Sequence, residues 1–382
     1  MKGINKIKLG IIGSGQLGKM LLYETIRWDV ETFILSNEAN APSKLQCNHF
    51  ELGDYMNFDQ VLQFGRKVDV LTIEIEHINV DALEVLEKEG INVFPQPGAL
   101  RIIQDKGIQK QFYHTHNIPT SAFQLFDSKE LIEAAISKKS ITYPFIQKLR
   151  KGGYDGRGVS IINSADDLGL LLDGPSVIEQ KVNIAMEVAV IVARGIGGEI
   201  KTFDPVEMVF DNRANLIDLL LFPARLNKET TLKLEAIALD TVEKLNMVGL
   251  LAVEMFIDID GNLLVNEVAP RPHNSGHQTI EACYTSQYQQ HLRAILGLPL
   301  GSTAIRCSAA MINLLGDAGV SGPVVYKGME DCLNKPGVYV HLYGKAQTKP
   351  YRKMGHITVC ASTIEEAMQT AHWVKEKIKV TT

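Results

Sequence analysis

In the first hundred residues, strand-length apolar runs alternate with helix-length amphipathic ones, and few folds accept that alternation. Lys6–Ile12 ends in the apolar run LGII, a glycine-rich turn follows, and Gln16–Arg27 has helical spacing. Further strands are expected at Thr32–Leu35, Val68–Ile75 and Asn92–Phe94, with helices near Asn57–Arg66 and Val80–Glu89. Strand, helix and strand at this spacing predict a parallel sheet with helices on its faces. The PQP of Pro95–Pro97 is expected to close the unit.

The rest of the chain reads differently. Ser128–Ser137 and Asp166–Leu172 are expected as helices flanking short strands, a small α+β lobe. From Val188 to Val268 strands predominate, with one long helix near Lys228–Leu245. Two apolar runs, Leu251–Ile257 and Asn262–Val268, are joined by a turn containing Asp260-Gly261 and spell a β-hairpin. From about Ser302 come strand patterns at Ser308–Leu314, Val338–Leu342 and His356–Val359, then a helix at Ile364–Lys377. A length of 382 residues suits two or three domains.

Composition removes some classes of function. Lys plus Arg number 39 and Asp plus Glu 44, a formal charge of −5. That balance speaks against a general nucleic-acid binder but allows a local basic site. The apolar runs are far shorter than the ~20 residues of a membrane span. Met1–Lys8 lacks an apolar signal core. Cys47, Cys283, Cys307, Cys332 and Cys360 include no CxxC pair and are expected as reduced core thiols in a cytoplasmic protein.

Six patterns carry chemistry. Gly13, Gly15 and Gly18 in GSGQLG fit GxGxxG after a strand, either a dinucleotide turn or simply a close strand–helix turn. Only Glu38 offers a ribose-binding acid after the second strand. The run KLRKGGYDGRG, Lys148–Gly158, mixes cations with a flexible backbone and suggests a loop over phosphates, without the GK[ST] of a P-loop. Counting outward from the hairpin turn, Glu254 lies six residues before Asp260 and Glu267 six after Gly261. Antiparallel pairing then makes them neighbours whose repulsion calls for a cation, and hard oxygen ligands near a phosphate site point to Mg²⁺. NEVAPRPHNSGH, Asn266–His277, is a rigid polar loop at a strand end, where active sites tend to lie. RKMGH, Arg352–His356, offers two cations for a phosphate monoester. VIEQKV, Val177–Val182, with Glu187 beyond it, suits an adenine edge and ribose hydroxyls.

Together, in order and spacing, GSGQLGKM, EIEH (Glu74–His77), DK (Asp105–Lys106), GGYDGRG, EQ (Glu179–Gln180), NEVAPRPHNSGH and RKMGH resemble the ATP-grasp superfamily over nearly the whole chain. Within it they resemble the N5-carboxyaminoimidazole ribonucleotide synthetase family, for which PRPHNSGH with KMGH is specific. The resemblance implies an α/β and α+β chain with the ATP-grasp fold. A Rossmann-like pre-ATP-grasp domain would occupy 1–105, and the ATP-grasp domain 106–300, with its small lobe at about 117–183. A small C-terminal domain would occupy 301–382. It implies a ligase of purine biosynthesis that uses ATP, Mg²⁺ (or Mn²⁺) and bicarbonate to carboxylate 5-aminoimidazole ribonucleotide. It implies a cytoplasmic homodimer whose partners are small molecules, with neither nucleic acid nor membrane among them.

The same resemblance implies roles for residues. Lys106 and Lys148 would contact the ATP phosphates, under a loop of Gly152, Gly153, Tyr154, Asp155, Gly156, Arg157 and Gly158. Glu179, Gln180, Lys181, Val182 and Glu187 would line the adenosine pocket. Glu254 and Glu267 would hold the metal beside Asn266. Arg271, His273, Asn274 and Ser275 would surround the bicarbonate-derived group, and Arg271, His273, Asn274 and Lys148 would be catalytic. Gly15, Gln16, Leu17, Glu76, Tyr154, Asp155, Arg157, Arg271, Asn274, Ser275, Lys345, Arg352 and Lys353 would meet the ribonucleotide. Bicarbonate is a poor electrophile, so attack on the γ-phosphorus to give carboxyphosphate is expected, with His273 or the departing phosphate taking the amine proton. A formate-dependent transformylase or a biotin carboxylase would share the ATP site but not HNSGH and KMGH. An oxidoreductase would leave Glu254, Glu267 and Arg271 without a task, and an inactive regulatory binder would keep both acids and both lysines by accident.

Overall fold

The structure is a computed structural model that describes residues 3, 6–153, 158–211 and 216–382. Tyr154, Asp155, Gly156 and Arg157, expected over the phosphates and at the ribonucleotide, lie outside the described residues.

The N-terminal alternation gives β1 (Lys8–Ile12), β2 (Glu31–Ser36), β3 (His49–Leu52), β4 (Val70–Ile73) and β5 (Asn92–Val93), a parallel sheet ordered β3-β2-β1-β4-β5. Helices α1 (Gln16–Arg27), α2 (Phe58–Gly65) and α3 (Val80–Lys88) connect the strands. Asn57 and Asn79 cap α2 and α3 by accepting from the Gln60 and Ala82 amides. Strand β3 was not expected. It is four residues long, lies at the sheet edge and lacks a clean apolar alternation. Pro97 does not close the unit either. It opens α4 (Pro97–Ile103), where a missing N–H costs nothing. Because the strand order reverses beside β1, the crevice at the carboxyl ends of β1 and β4 is the natural ligand site of this sheet.

After α5 (Lys106–Thr115) comes the small lobe, an antiparallel sheet ordered β6-β9-β7-β8 from β6 (Phe123–Phe126), β7 (Phe145–Leu149), β8 (Val159–Ile162) and β9 (Ser176–Gln180), with α6 (Lys129–Ser137) against it. The helix expected at Asp166–Leu172 is a short 3₁₀ segment, Ala165–Leu170.

A nine-stranded antiparallel sheet forms the body. Its strands are β10 (Ile184–Arg194), β11 (Ile200–Thr202), β12 (Val206–Asp211), β13 (Leu216–Phe222), β14 (Gly249–Asp258), β15 (Leu263–Ala269), β16 (Ser308–Leu315), Val338–Leu342 and Lys353–Ala361. The order is β15-β14-β10-β12-β13-β16, then Lys353–Ala361 and Val338–Leu342, with β11 on β10. The C-terminal segment therefore continues the central sheet, joined by the pairs Leu220↔Met311, Leu221↔Ala310 and Phe222↔Ala309. Helix α7 (Lys228–Lys244) packs on one face against β10, and Ile364–Lys377 covers β16 and its neighbour. Cys283 and Cys332 are buried, but Cys47, Cys307 and Cys360 are only half-buried, so three of the five are not core residues; all five are free thiols. Among the described residues no helix is long and apolar enough to cross a membrane.

Two elements that the pattern did not reveal, α8 (Thr279–Ala282) and α9 (Gln287–Ile295), tie the parallel sheet to the body. Tyr288, Leu292 and Ile295 pack with Leu21, Ile34 and Val70 in one core. Within this layer the buried Thr72 hydroxyl meets His291 Nε2 at 2.9 Å. Burial pushes the His291 imidazole down to about 3, so it is neutral in the folded chain, whereas the unfolded chain takes up a proton near 6.5. Its share of stability is complete above 6.5 and is lost as pH falls toward 3. Urea unfolding between about pH 6 and pH 4 should lose up to about 1.4 kcal/mol per pH unit from this group, and His291→Gln should remove that part of the slope. Parallel slopes in the two proteins would contradict the assignment.

Candidate functional site

The hairpin brings Glu254 and Glu267 directly opposite one another. Its tip is offset by one residue from the simple count, because Ile259–Gly261 forms a three-residue loop with Gly261 at φ +80° and Ile257 pairs with Leu263. A bulge then skips Asn266 and restores the pairing at Glu254↔Glu267. Burial raises the Glu254 carboxyl, and Glu267 and Glu187 raise it further. Burial also opposes ionisation of Glu267, but Lys106, 2.8 Å away, and Lys148 hold its carboxyl well below the usual range. Two oxygen donors, one hindered from ionising by burial and further by the other, fit a hard dication between them.

Each lysine is placed by local chemistry. Asp105 caps α5, accepting from the Gly107 and Ile108 amides, and Arg150 grips its carboxylate at 2.8 and 2.9 Å. That clamp sets Lys106 at the first helical position, pointing to Glu267. Lys148, on β7, reaches Asn266 Oδ1 at 2.8 Å and Glu179 Oε1 at 3.1 Å. The Glu179 carboxylate also accepts from Ser121 and pairs with Lys110, so it is turned to cations. Gln180 is exposed and its amide bonds to the Ala122 carbonyl; Lys181 reaches Asn163, and Val182 is half-buried. Burial lifts Glu187 to about 7 against the pull of Lys148. Gly152 and Gly158 adopt φ +78° and +73°, and a Cβ on Gly158 would stand 3.2 Å from the Gly153 backbone, so the ends of the loop are pinched together.

Lys110 did not emerge from the motifs. Its signal was the spacing Lys106-x₃-Lys110, one turn along a helix face. It is the most buried of these cations, and burial pulls it down to about 8 with Glu179 opposing, so it is charged at neutral pH.

The PRPHNSGH loop faces the same cleft. Arg271 Nε lies 2.8 Å from Glu76 Oε1, and His273 Nε2 lies 3.4 Å from Glu254 Oε1. Burial, with Arg271 and Lys353 adding to it, pushes His273 down to about 3. The Ser275 amide donates to His273 Nδ1, which places the neutral ring's proton on Nε2, toward Glu254. Among the described residues, Asn274 Nδ2 is buried without a hydrogen-bond partner. Behind the loop, His277 stacks on His356 at 4.6 Å and His356 on His341 at 4.4 Å. HNSGH and KMGH are thus two halves of one packed contact. Lys345 Nζ bonds to the Lys353 carbonyl, and Arg352 to that of Gln347. Burial, then Arg352, pull Lys345 down to about 8.

The glycine-rich turn already holds an anion. The Glu74 carboxylate accepts from the Gly15 amide and, at 2.7 Å, from that of Gly18. A Cβ on Gly13 would stand 2.5 Å from Glu74 Cγ, and one on Gly15 2.9 Å from its Oε1. The glycines thus admit an internal carboxylate where a dinucleotide would place its pyrophosphate. Gln16 is half-buried at the head of α1, and Leu17 belongs to the core.

Three domain families match in order: the ribonucleotide synthetase preATP-grasp domain over residues 6–104, the ATP-grasp domain over 111–288, and the phosphoribosylaminoimidazole carboxylase C-terminal domain over 309–370. Together they define an ATP-grasp protein. The N5-carboxyaminoimidazole ribonucleotide synthase of Bacillus subtilis is 34% identical over 373 residues, 96% of this chain and 95% of that one. The crystal structure of the Thermotoga maritima N5-carboxyaminoimidazole ribonucleotide synthetase superposes with a TM-score of 0.91 at 39% identity, covering 98% of this chain and 99% of that one. That of the Aspergillus clavatus synthase, in complex with ADP and 5-aminoimidazole ribonucleotide, gives 0.89 at 34%, covering 97% and 98%. The chain belongs to the N5-carboxyaminoimidazole ribonucleotide synthase family. It spans 65% of the length of the chloroplastic phosphoribosylaminoimidazole carboxylase of Vigna aconitifolia, with which it is 36% identical over 371 residues. Since Glu74 fills the glycine turn, NADH titrated into the protein should show no saturable fluorescence change; micromolar binding would contradict this reading.

Proposed function

We propose that the chain carboxylates the exocyclic amine of 5-aminoimidazole ribonucleotide with bicarbonate and ATP, giving N5-carboxyaminoimidazole ribonucleotide, ADP and phosphate in purine biosynthesis. One observation carries the reading: His273, 3.4 Å from Glu254, joins a carboxylate-and-lysine end of the cleft to a basic end formed by Arg271, Lys345, Arg352 and Lys353. The first end suits a metal-bound triphosphate and the second a phosphate monoester.

In this reading Lys106 and Lys148 take the ATP phosphates, and Glu254 and Glu267, beside Asn266, would hold Mg²⁺ or Mn²⁺, which would supply further positive charge there. Gly152–Gly158 covers the phosphates, with Glu179, Gln180, Lys181, Val182 and Glu187 toward the adenosine. Bicarbonate oxygen attacks the γ-phosphorus and ADP leaves, so carboxyphosphate forms next to Arg271 and Asn274. The amine attacks the carboxyl carbon, directly or after release of CO₂, and phosphate departs. Because the His273 lone pair faces Ser275, the departing phosphate takes the amine proton. Gly15, Gln16, Leu17, Glu76 and Ser275 complete the ribonucleotide site. We place the domains at 1–105, 106–300 and 301–382, in a cytoplasmic homodimer that binds no nucleic acid.

The test is ADP release that requires both bicarbonate and 5-aminoimidazole ribonucleotide, with the product identified; release that requires formate and glycinamide ribonucleotide instead would overturn the reading. Glu267→Gln should keep the fold and lose ~10²-fold or more in turnover, about 2.7 kcal/mol of barrier, at ordinary Mg²⁺. Lys353→Ala should raise the KM for the ribonucleotide roughly 10- to 150-fold and leave that for ATP nearly unchanged, the loss of a charge-assisted hydrogen bond. A rise in the ATP KM alone would assign the C-terminal cations to the wrong ligand.

A further inference from the structure

Glu179 is one buried carboxylate shared by two lysines. Lys148 Nζ stands 3.1 Å from Oε1, and Lys110 Nζ stands 3.2 Å from Oε2. The Lys110 ammonium is fully used, donating also to Thr120 Oγ1 at 2.6 Å and Ser121 Oγ at 3.0 Å. Its side chain is 3% exposed, whereas that of Lys148 is 13% exposed and has a second, neutral partner, Asn266. Lys110 is thus locked and Lys148 faces the cleft. Thr120 extends the arrangement: its hydroxyl donates to the Val265 carbonyl at 2.7 Å, next to the bulged Asn266. One ammonium therefore braces both walls that hold Lys148, the Glu179 strand and the strand that carries Asn266 and Glu267.

We propose that Lys110 is a positioning residue of the ATP phosphate site: it shares the Glu179 carboxylate and so leaves Lys148 free to turn to a phosphate. The proposal rests on the assignment of Lys148 to ATP. A carboxylate buried with a single ammonium binds it as a closed pair, because each has no other compensation in a low-dielectric site. With a second ammonium on its other oxygen, the same carboxylate still orients Lys148 but competes less with an incoming phosphate oxygen. No atom of Lys110 need touch ATP.

The experiment measures the Kd of a fluorescent ADP analogue and the KM for ATP and for 5-aminoimidazole ribonucleotide in the full-length protein. The variants are Lys110→Met, Glu179→Gln and their combination. Lys110→Met should weaken the analogue and raise the ATP KM about tenfold or more, with the ribonucleotide KM within about twofold. In the Glu179→Gln background the same change should cost less than about threefold, since a neutral side chain no longer captures Lys148. If Lys110→Met alone does not fold, Lys110→Gln, which removes the charge but can still donate to Thr120 or Ser121, takes its place in both backgrounds. An equal effect of Lys110→Met in both backgrounds, an equal rise in both KM values, or no change in ATP affinity each overturns the proposal. Lys148→Met separates the two readings: unchanged ATP affinity there removes the assignment of Lys148 itself, whatever Lys110 does.

Discussion

Two carboxylates on adjacent strands, pressed together in a partly buried cleft, are the constraint to which the rest of the site answers. Left alone, Glu254 and Glu267 repel, and burial penalises both charges. Lys106 offsets one of them directly, which requires the Asp105 cap and the Arg150 clamp to start α5 at that point. Lys148 and Lys110 add positive charge and need Glu179 between them to be tolerable. Anions and cations alternate from Glu267 through Lys106 outward, so removing a single member leaves a partly buried neighbour short of its counter-charge.

The regular parts of this arrangement were legible because periodicity reports them directly. Helix α1 and the helix Ile364–Lys377 lie where the pattern placed them, and the Glu254–Glu267 pairing follows from a count across the turn. That count succeeded through two compensating irregularities, the longer loop at Gly261 and the bulge at Asn266, neither of which alternation of apolar residues can register. Edge strand β3 and helix α9 escaped for a related reason. Strand β3 is short and half-exposed, and α9 sets its apolar stripe of Tyr288, Leu292 and Ile295 among polar residues, of which Gln287, Gln290 and His291 are buried with it, so in each the core face is masked by polar side chains. Lys110 escaped because a lone lysine on a helix looks like surface until its neighbours are known.

The glycine signature shows how a motif can be right about geometry and silent about its ligand. Gly13, Gly15 and Gly18 make the close turn that GxGxxG predicts, and amides at the head of α1 do attract an anion. The anion is Glu74, from the strand end on the other side of the crevice. Its carboxyl is raised by burial and drawn back by Gly18, Gly15 and Arg271, which makes it a hub between the parallel sheet and the PRPHNSGH loop. The dinucleotide reading was refused by one side chain, 56 residues from the last of those glycines.

The unbroken sheet from β15 to Val338–Leu342 has a mechanical consequence. Strands locked edge to edge by ladder hydrogen bonds, with α7 and the last helix on their faces, cannot swing past one another without breaking pairs. Lys353 and Glu254 therefore ride on one rigid plate, and the distance between the two ends of the cleft is set when the chain folds. Among the described residues the four-stranded lobe shares no ladder with that plate and meets it through Thr120, Asn183 and the Lys148 contacts. Any displacement of the lobe against the plate would carry Lys148 along with β7, while Glu254 and Glu267 would stay behind on the plate.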